Sequence, residues 1–180
     1  IRSFPGTISW RSIAASSDFT TMVFAANNAY VYKSIDSGLT WKPLLGIGMK
    51  KWEGVAGNSD MTKVVAAAYS NYLYKSEDAC ASFQPMTAAG IRNWKAVASS
   101  EDFQYIAAAV ANDFIYQTNN SGITWTKLES AGSRNWMRIT ARSDFSTIIA
   151  AEAPSSGVYV SEDMGASFTF ETIALIFKSW

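Results

Sequence analysis

Residues 34–41 read SIDSGLTW. A hydroxyl, a carboxylate and a flexible glycine so close together are the materials of an active-site loop, with a nucleophile or proton shuttle at its tip. Related stretches follow as SEDACASF at 76–83, TNNSGITW at 118–125 and SEDMGASF at 161–168. A catalytic group is built once per chain, whereas a turn can be built in every unit, so multiplicity argues for a structural device. In a tight turn Asp accepts hydrogen bonds from unpaired backbone N–H groups, and glycine supplies a positive φ. A closing Trp or Phe buries against the sheet and anchors the hairpin. The box residues are then Ser34, Asp36, Gly38 and Trp41; Ser76, Asp78 and Phe83; Thr118, Asn120, Gly122 and Trp125; and Ser161, Asp163, Gly165 and Phe168. Asn120 replaces the acid in the third box, and Cys80 replaces the glycine in the second. A non-glycine residue is strained in the left-handed region, so the second hairpin is expected to be distorted.

Other carboxylates invite comparison with a glycosidase pair, which needs two at a set separation. Asp18, Asp60, Asp102 and Asp144 each stand eight residues after a tryptophan, in SSDF, NSDM, SEDF and RSDF. Such repetition favours caps of a turn. The chain has no histidine and one cysteine, which removes His-based catalysis and the usual zinc ligand sets. No P-loop, dinucleotide fingerprint or dense Asp loop for calcium is present. No metal and no cofactor is expected.

The elements that position these residues follow from a repeat. Trp10, Trp52, Trp94, Trp136 and Trp180 are spaced by 42, 42, 42 and 44 residues. Four units result, 10–51, 52–93, 94–135 and 136–179, while 1–9 resembles the tail of a preceding unit. Within each unit, short β-rich runs such as TMVFAA and KVVAAA are bounded by polar turns. A second run, such as AYVYKS or NYLYKS, alternates apolar and polar residues as a half-buried strand does. Helix is the competing reading for the Ala-rich runs, but they are too short and too closely hemmed by turn residues. Each unit reads as four strands, A from the Trp, B through the Ala-rich run, C through the Tyr-rich run and D after the box. Four-stranded units repeating every ~40–50 residues are the signature of propeller blades. The expectation is an all-β propeller of antiparallel four-stranded blades, about four in this chain.

SIDSGLTW resembles the Asp-box, or BNR, pattern found in sialidases, sortilin-like receptors, photosystem assembly factors and secreted proteins. The resemblance extends over nearly the whole chain in four copies, in phase with the Trp period. It implies a structural role for the box. It also names what a sialidase would add: an arginine cluster, a Tyr nucleophile with a Glu partner, and an acidic proton shuttle. Arg2, Arg11, Arg92, Arg134, Arg138 and Arg142 are available, but Arg92 and Arg134 occupy equivalent repeat positions, as scaffold residues do. The chain is also short for a complete sialidase propeller. A non-enzyme is expected, with a sialidase-like glycoside hydrolase the disfavoured alternative.

Propeller geometry puts the A–B and C–D turns on one face and the B–C and D–A connections on the other. On the second face a basic residue stands two before the Trp, as Lys50, Arg92, Arg134 and Lys178, with Ile8 in the first unit. With A innermost, these basics are expected near the central channel. The B–C turns add Asn27, Asn28, Asn71, Asn112, Asp113, Ser155 and Ser156. A basic arc among amides (Asn28, Asn71 and Asn112 above all) could receive an anionic or glycan ligand; the alternative is a set of solvated loop residues. Asn119-Asn120-Ser121 is an N-x-Ser sequon, so Asn119 could carry a glycan in a eukaryotic secreted protein.

Fifteen basic and fifteen acidic residues balance, which argues against a dedicated nucleic-acid binder. No apolar run approaches the ~20 residues of a spanning helix. A secreted or otherwise extracytoplasmic setting is expected, as is a protein- or glycan-binding or structural assembly module, with a lectin as alternative. Three blade counts are open: a segment of a longer array, two copies in one ring, or four blades closing alone. The first two are favoured over the third.

Overall fold

A computed structural model describes residues 8–154 and 157–171. Sixteen strands are present among them, in four antiparallel units. The first comprises β1 (Ser9–Ala15), β2 (Met22–Ala29), β3 (Val31–Ser34) and β4 (Lys42–Pro43). The second comprises β5 (Lys50–Gly57), β6 (Val64–Asn71), β7 (Leu73–Ser76) and β8 (Gln84–Pro85). The third comprises β9 (Arg92–Ser99), β10 (Ile106–Val110), β11 (Ile115–Thr118) and β12 (Thr126–Lys127). The fourth comprises β13 (Trp136–Ala141), β14 (Ile148–Glu152), β15 (Val158–Ser161) and β16 (Thr169–Glu171). In each unit the strands pair in chain order, A to B to C to D. The Ala-rich runs are strands, so the helical alternative is excluded. The outermost strand is a stub of two or three residues, and in the first three units a single 3-10 turn follows it.

Every A strand carries the same irregularity. Trp10 pairs with Ala26 and Ser12 with Ala25, which leaves Arg11 bulged between them. The same slip isolates Glu53, Lys95 and Met137. A bulge of this kind re-aims one side chain at the end of a strand. Neighbouring blades are also joined by backbone, which the repeat did not announce. The end of β2 pairs with the start of β5 (Asn27 with Lys51, Ala29 with Lys50), and the end of β6 with the start of β9. Between the third and fourth blades this contact shrinks to one bridge, Asp113 to Arg134.

Three apolar clusters lie between successive blades. Val23, Ala25 and Val31 of the first blade meet Trp52, Val55, Met61 and Val64 of the second. Val65, Ala67 and Leu73 then meet Trp94, Val97, Phe103 and Ile106. Ala107, Ala109 and Ile115 meet Trp136, Ile139, Phe145 and Ile148. Alternate residues of each central strand therefore face opposite neighbours, as the period-two pleat requires. Met61, Phe103 and Phe145 stand at one repeat position, just after the A–B turn aspartate. Each plugs into the preceding blade at no more than 1% exposure. Small residues set the spacing: a Cβ on Gly54 would lie 3.0 Å from Ala96 Cα on the next A strand.

Because Phe103 is fully buried in the cluster between the second and third blades, Phe103→Ala is expected to cost about 3–5 kcal/mol. Ile123→Ala, at a residue 74% exposed, should stay within about 0.5 kcal/mol. Urea unfolding of the two variants measures both, and equal midpoints would contradict the plug.

Candidate functional site

The four boxes have one geometry. Ser34 Oγ donates to Asp36 Oδ1 at 2.7 Å and accepts from Gly38 N–H at 2.9 Å. Asp36 in turn accepts from Thr40 N–H at 2.9 Å and Thr40 Oγ at 2.6 Å. Ser76 and Asp78, and Ser161 and Asp163, repeat these bonds with Ser82 and Ser167. In the third box Asn120 keeps the arrangement by reversing one bond: its Nδ2 donates to Thr124 Oγ at 2.8 Å, and its Oδ1 accepts from Thr118 Oγ and Thr124 N–H. The closing aromatics pack as expected, with Trp41 against Phe24 and Trp125 against Trp94, and Phe83 and Phe168 on the apolar clusters. Asn119 is exposed at the box tip.

The second box corrects an expectation. Cys80 adopts φ +70° in place of glycine, yet the hairpin is not distorted: Cys80 N–H still donates to Ser76 Oγ at 2.9 Å. The left-handed conformation costs of order 1 kcal/mol. The thiol compensates by filling the cluster between the first two blades, 5% exposed. Burial raises its pKa to about 11, outweighing nearby Lys33. Iodoacetamide at pH 8 should leave Cys80 unmodified in the folded chain and label it fully in denaturant, as read by intact mass.

Accepting several donors keeps the box acids ionised. Asp36, Asp78 and Asp163 are lowered to about 2, in each case chiefly by the hydroxyl four residues on, then by the backbone N–H of that residue. The A–B turn acids behave alike. Asp18 lies at about 2, held first by Ser16 Oγ, and Asp60, Asp102 and Asp144 are lowered by Thr62, Ser100 and Ser146 respectively. Carboxylates held this low serve poorly as proton donors near neutral pH. Since the folded values lie below the ordinary 3.8, their stabilisation is complete above about pH 4 and is lost as pH falls towards 2. Replacing Asp36, Asp78 and Asp163 together by Asn, which the third box already uses, should flatten the fall in Tm between pH 4 and pH 2. An unchanged slope in scanning calorimetry would sink this account.

On the opposite face the basic residues have left the place expected of them. Arg92 lies with Cζ 3.9 Å from the ring centre of Tyr116, donates from Nε to Ala89 O at 3.2 Å, and pairs with Asp113 at 3.3 Å. Arg134 lies over Tyr159 at 4.4 Å, bonds Ala131 O, and faces Glu152 at 3.7 Å. Lys50 lies over Tyr74 at 4.8 Å and bonds Ile47 O; burial lowers its pKa. All three reach outward over the C-strand tyrosine, which itself meets the blade's Trp edge-on, and not into the channel. The attraction of cation to ring and the open carbonyls of the 3-10 turn account for the direction. Lys178, Ser155 and Ser156 lie outside the described residues.

The asparagines also separate. Asn28 and Asn112 share one repeat position with Ser70, all at φ between 53° and 57°. Asn71 belongs one position later, where its Oδ1 accepts from Tyr72 N–H and Tyr74 Oη, as Asp113 accepts from Tyr116.

What does line the channel is the bulged residue in the first three blades and, one position on, Arg138 in the fourth. The four A strands surround a cavity of about 360 Å³ whose wall includes Arg11, Glu53, Lys95 and Arg138. Glu53, 8% exposed, accepts from Asn27 Nδ2 at 3.0 Å. Lys95 Nζ approaches it to 3.7 Å and Arg11 Nε to 3.9 Å. Lys95 also lies 4.8 Å over the Tyr69 ring. One buried carboxylate thus faces two cations directly, and Arg138 is exposed nearby. Sequence reading missed this cluster because the bulged position is Arg, Glu, Lys and Met in turn, and repetition is what draws the eye. The available signal was a charged residue directly after each of the first three repeat tryptophans. On the same face the D–A connections present Met49 (60% exposed) and Ile91 (62%). Among the described residues no group of three or more His, Cys, Asp or Glu could hold a metal ion, and no helix is long and apolar enough to cross a membrane.

No protein-family model matches the sequence, and neither does any curated protein. Solved structures do match. A GH74 enzyme from Niastella koreensis is 17% identical with a TM-score of 0.71, over 92% of this chain and 24% of its own. YCF48 bound to D1 peptide is 17% identical at 0.68, over 93% and 56%. A chain of a nidogen/laminin complex is 10% identical at 0.73, over 89% and 64%. At these identities the likeness shows the fold, a β-propeller architecture, and the chain spans less than two thirds of each of these proteins.

Proposed function

We propose that the chain is a non-enzymatic Asp-box propeller module that binds a protein partner through the D–A face, in an extracytoplasmic setting. The observation that carries this is the Arg11–Glu53–Lys95 cluster at the A-strand bulges, where two cations and the nearby Arg138 outnumber one buried carboxylate. A partly neutralised basic centre edged by Met49 and Ile91 suits an acidic segment flanked by apolar residues. The basic arc of Lys50, Arg92 and Arg134, with the B–C turns of Asn28, Asn71 and Asn112, forms the rim of that surface. Support by analogy comes from YCF48, a propeller of similar fold bound to D1 peptide, and from the nidogen/laminin complex. The non-enzymatic reading is supported by the repeat carboxylates, all committed to their own turns.

Panning a random peptide display library on the immobilised chain tests the proposal. Acidic peptides should be enriched, and their affinity by calorimetry should fall at least about tenfold in Arg11→Glu/Lys95→Glu. Charge reversal at Arg92 and Arg134 should cost less, as a rim does. No acidic bias, or unchanged affinity in the central variant, would defeat it. Hits on a glycan array without peptide binding would favour a lectin, and turnover of a fluorogenic glycoside panel would make the chain an enzyme.

A further inference from the structure

One repeat position, at the end of the B strand, reads Asn27, Tyr69, Ala111 and Ala153 in turn. In the second blade the Tyr69 ring stands between two A strands, 5.5 Å from Lys51 Nζ and 4.8 Å from Lys95 Nζ. In the third blade Ala111 replaces Tyr69 and Asn93 replaces Lys51, a loss of bulk at both places. A cavity of about 440 Å³ is open there on the D–A face. Ile91, Arg92, Asn93, Val110 and Ala111 wall it, with Ser70 across the seam. All of its lining residues belong to the second and third blades. Its chemistry is mixed. Ile91 and Val110 are apolar, and Arg92 is already committed to Ala89 O, Asp113 and the Tyr116 ring. Asn93 Oδ1 accepts from Ser70 Oγ at 2.9 Å, which leaves Asn93 Nδ2 without a hydrogen bond among the described residues. In the fourth blade the same amide is spent, since Asn135 Nδ2 donates to Ala153 O at 2.9 Å.

We propose that this cavity receives a tyrosine side chain of the bound partner, its ring against Ile91 and Val110 and its phenol oxygen accepting from Asn93 Nδ2. The inference rests on the reading of the D–A face as a protein-binding surface and supplies that surface with a second anchor. The occupant follows from the repeat: at the equivalent place in the second blade the chain uses its own tyrosine ring. An apolar wall with one open neutral donor suits a ring that carries a hydroxyl. A carboxylate would gain little here, because Asp113 already neutralises Arg92. Tyrosine also brings a large, rigid contact area at low entropic cost. Asn93 and Lys95 lie two residues apart on β9, so the cavity and the channel cluster are about 7 Å apart along the strand. An extended partner segment covers that distance in two or three residues, which fixes the spacing between its tyrosine and its acid.

Two measurements on the full chain test this. In the first, N-acetyltyrosinamide is titrated into the nitrogen-15-labelled protein and followed by NMR. The side-chain amide of Asn93 and the N–H of Ala111 should shift saturably, and N-acetylleucinamide should bind about tenfold more weakly. No saturable shift at Asn93, or equal binding of the leucine amide, would overturn the inference; this arm needs no variant. In the second, Ala111→Tyr fills the cavity with the ring that the second blade already carries. The variant should keep the wild-type circular dichroism and lose the tyrosinamide site. Acidic peptides from the panning should carry a tyrosine two or three positions from an acid, and Ala111→Tyr should weaken them about tenfold. Acidic peptides that bind without a tyrosine, or with unchanged affinity in Ala111→Tyr, would overturn the inference and leave the proposed function standing. A tyrosinamide site in a chain that enriches no acidic peptide would do the reverse, supporting the cavity and defeating the acidic partner.

Discussion

A four-stranded sheet with two apolar faces has no way to stand alone in water, and every other property of this chain follows from that constraint. Each seam is buried by the two blades that meet at it, so the sequence must repeat in register. The Ala-rich central strands keep the sheets close, and Gly54 marks where one A strand runs against the next. The plug of Met61, Phe103 or Phe145 is the largest single statement of this dependence. It is carried by one blade and buried by another. The hydrogen-bonded turns hold each blade's hairpins at a fixed shape and also reach across the seams, where Lys33, Lys75 and Gln117 donate to the box carbonyls of Ala79, Ser121 and Met164 on the next blade.

The architecture was legible because it is periodic. Tryptophan spacing, the box and the turn aspartate were enough to show four-stranded antiparallel units and their strand order, and even Asn120 proved compatible with the box it occupies. Where the reading failed, a local side-chain preference outranked the pattern. Cys80 takes a conformation that glycine would take more cheaply, because its thiol fills an apolar gap and its N–H retains the Ser76 hydroxyl. Arg92 and Arg134 turn outward because an aromatic face, a free carbonyl and an acid lie there together. The ring and the acid lie farther along the chain, beyond the residues that flank each arginine, so the KKW, RNW and RNW triplets alone did not show them.

The channel cluster teaches the complementary lesson. Repeat proteins declare their scaffold by sameness, and so the positions free to specialise are those that differ from unit to unit. The bulge after each Trp is identical in backbone and different in side chain: Arg11, Glu53, Lys95, Met137. In the first three blades it turns one side chain to the channel and leaves that side chain's identity open, which is how a symmetric framework comes to present an asymmetric surface.

The ladders between blades carry a consequence for how the chain comes apart. The first and second blades share two paired positions across their seam, and so do the second and third, but the third and fourth share a single bridge. Strand pairing is thinnest at the last seam, where a turn bond from Glu101 N–H to Ser143 O at 2.9 Å is the other backbone link, so sub-global opening is expected to start there, with the fourth blade peeling away while the first three stay zipped. Amide protons of β14 would then exchange before those of β6, although both are central strands of their blades. Cooperativity in this molecule has a direction.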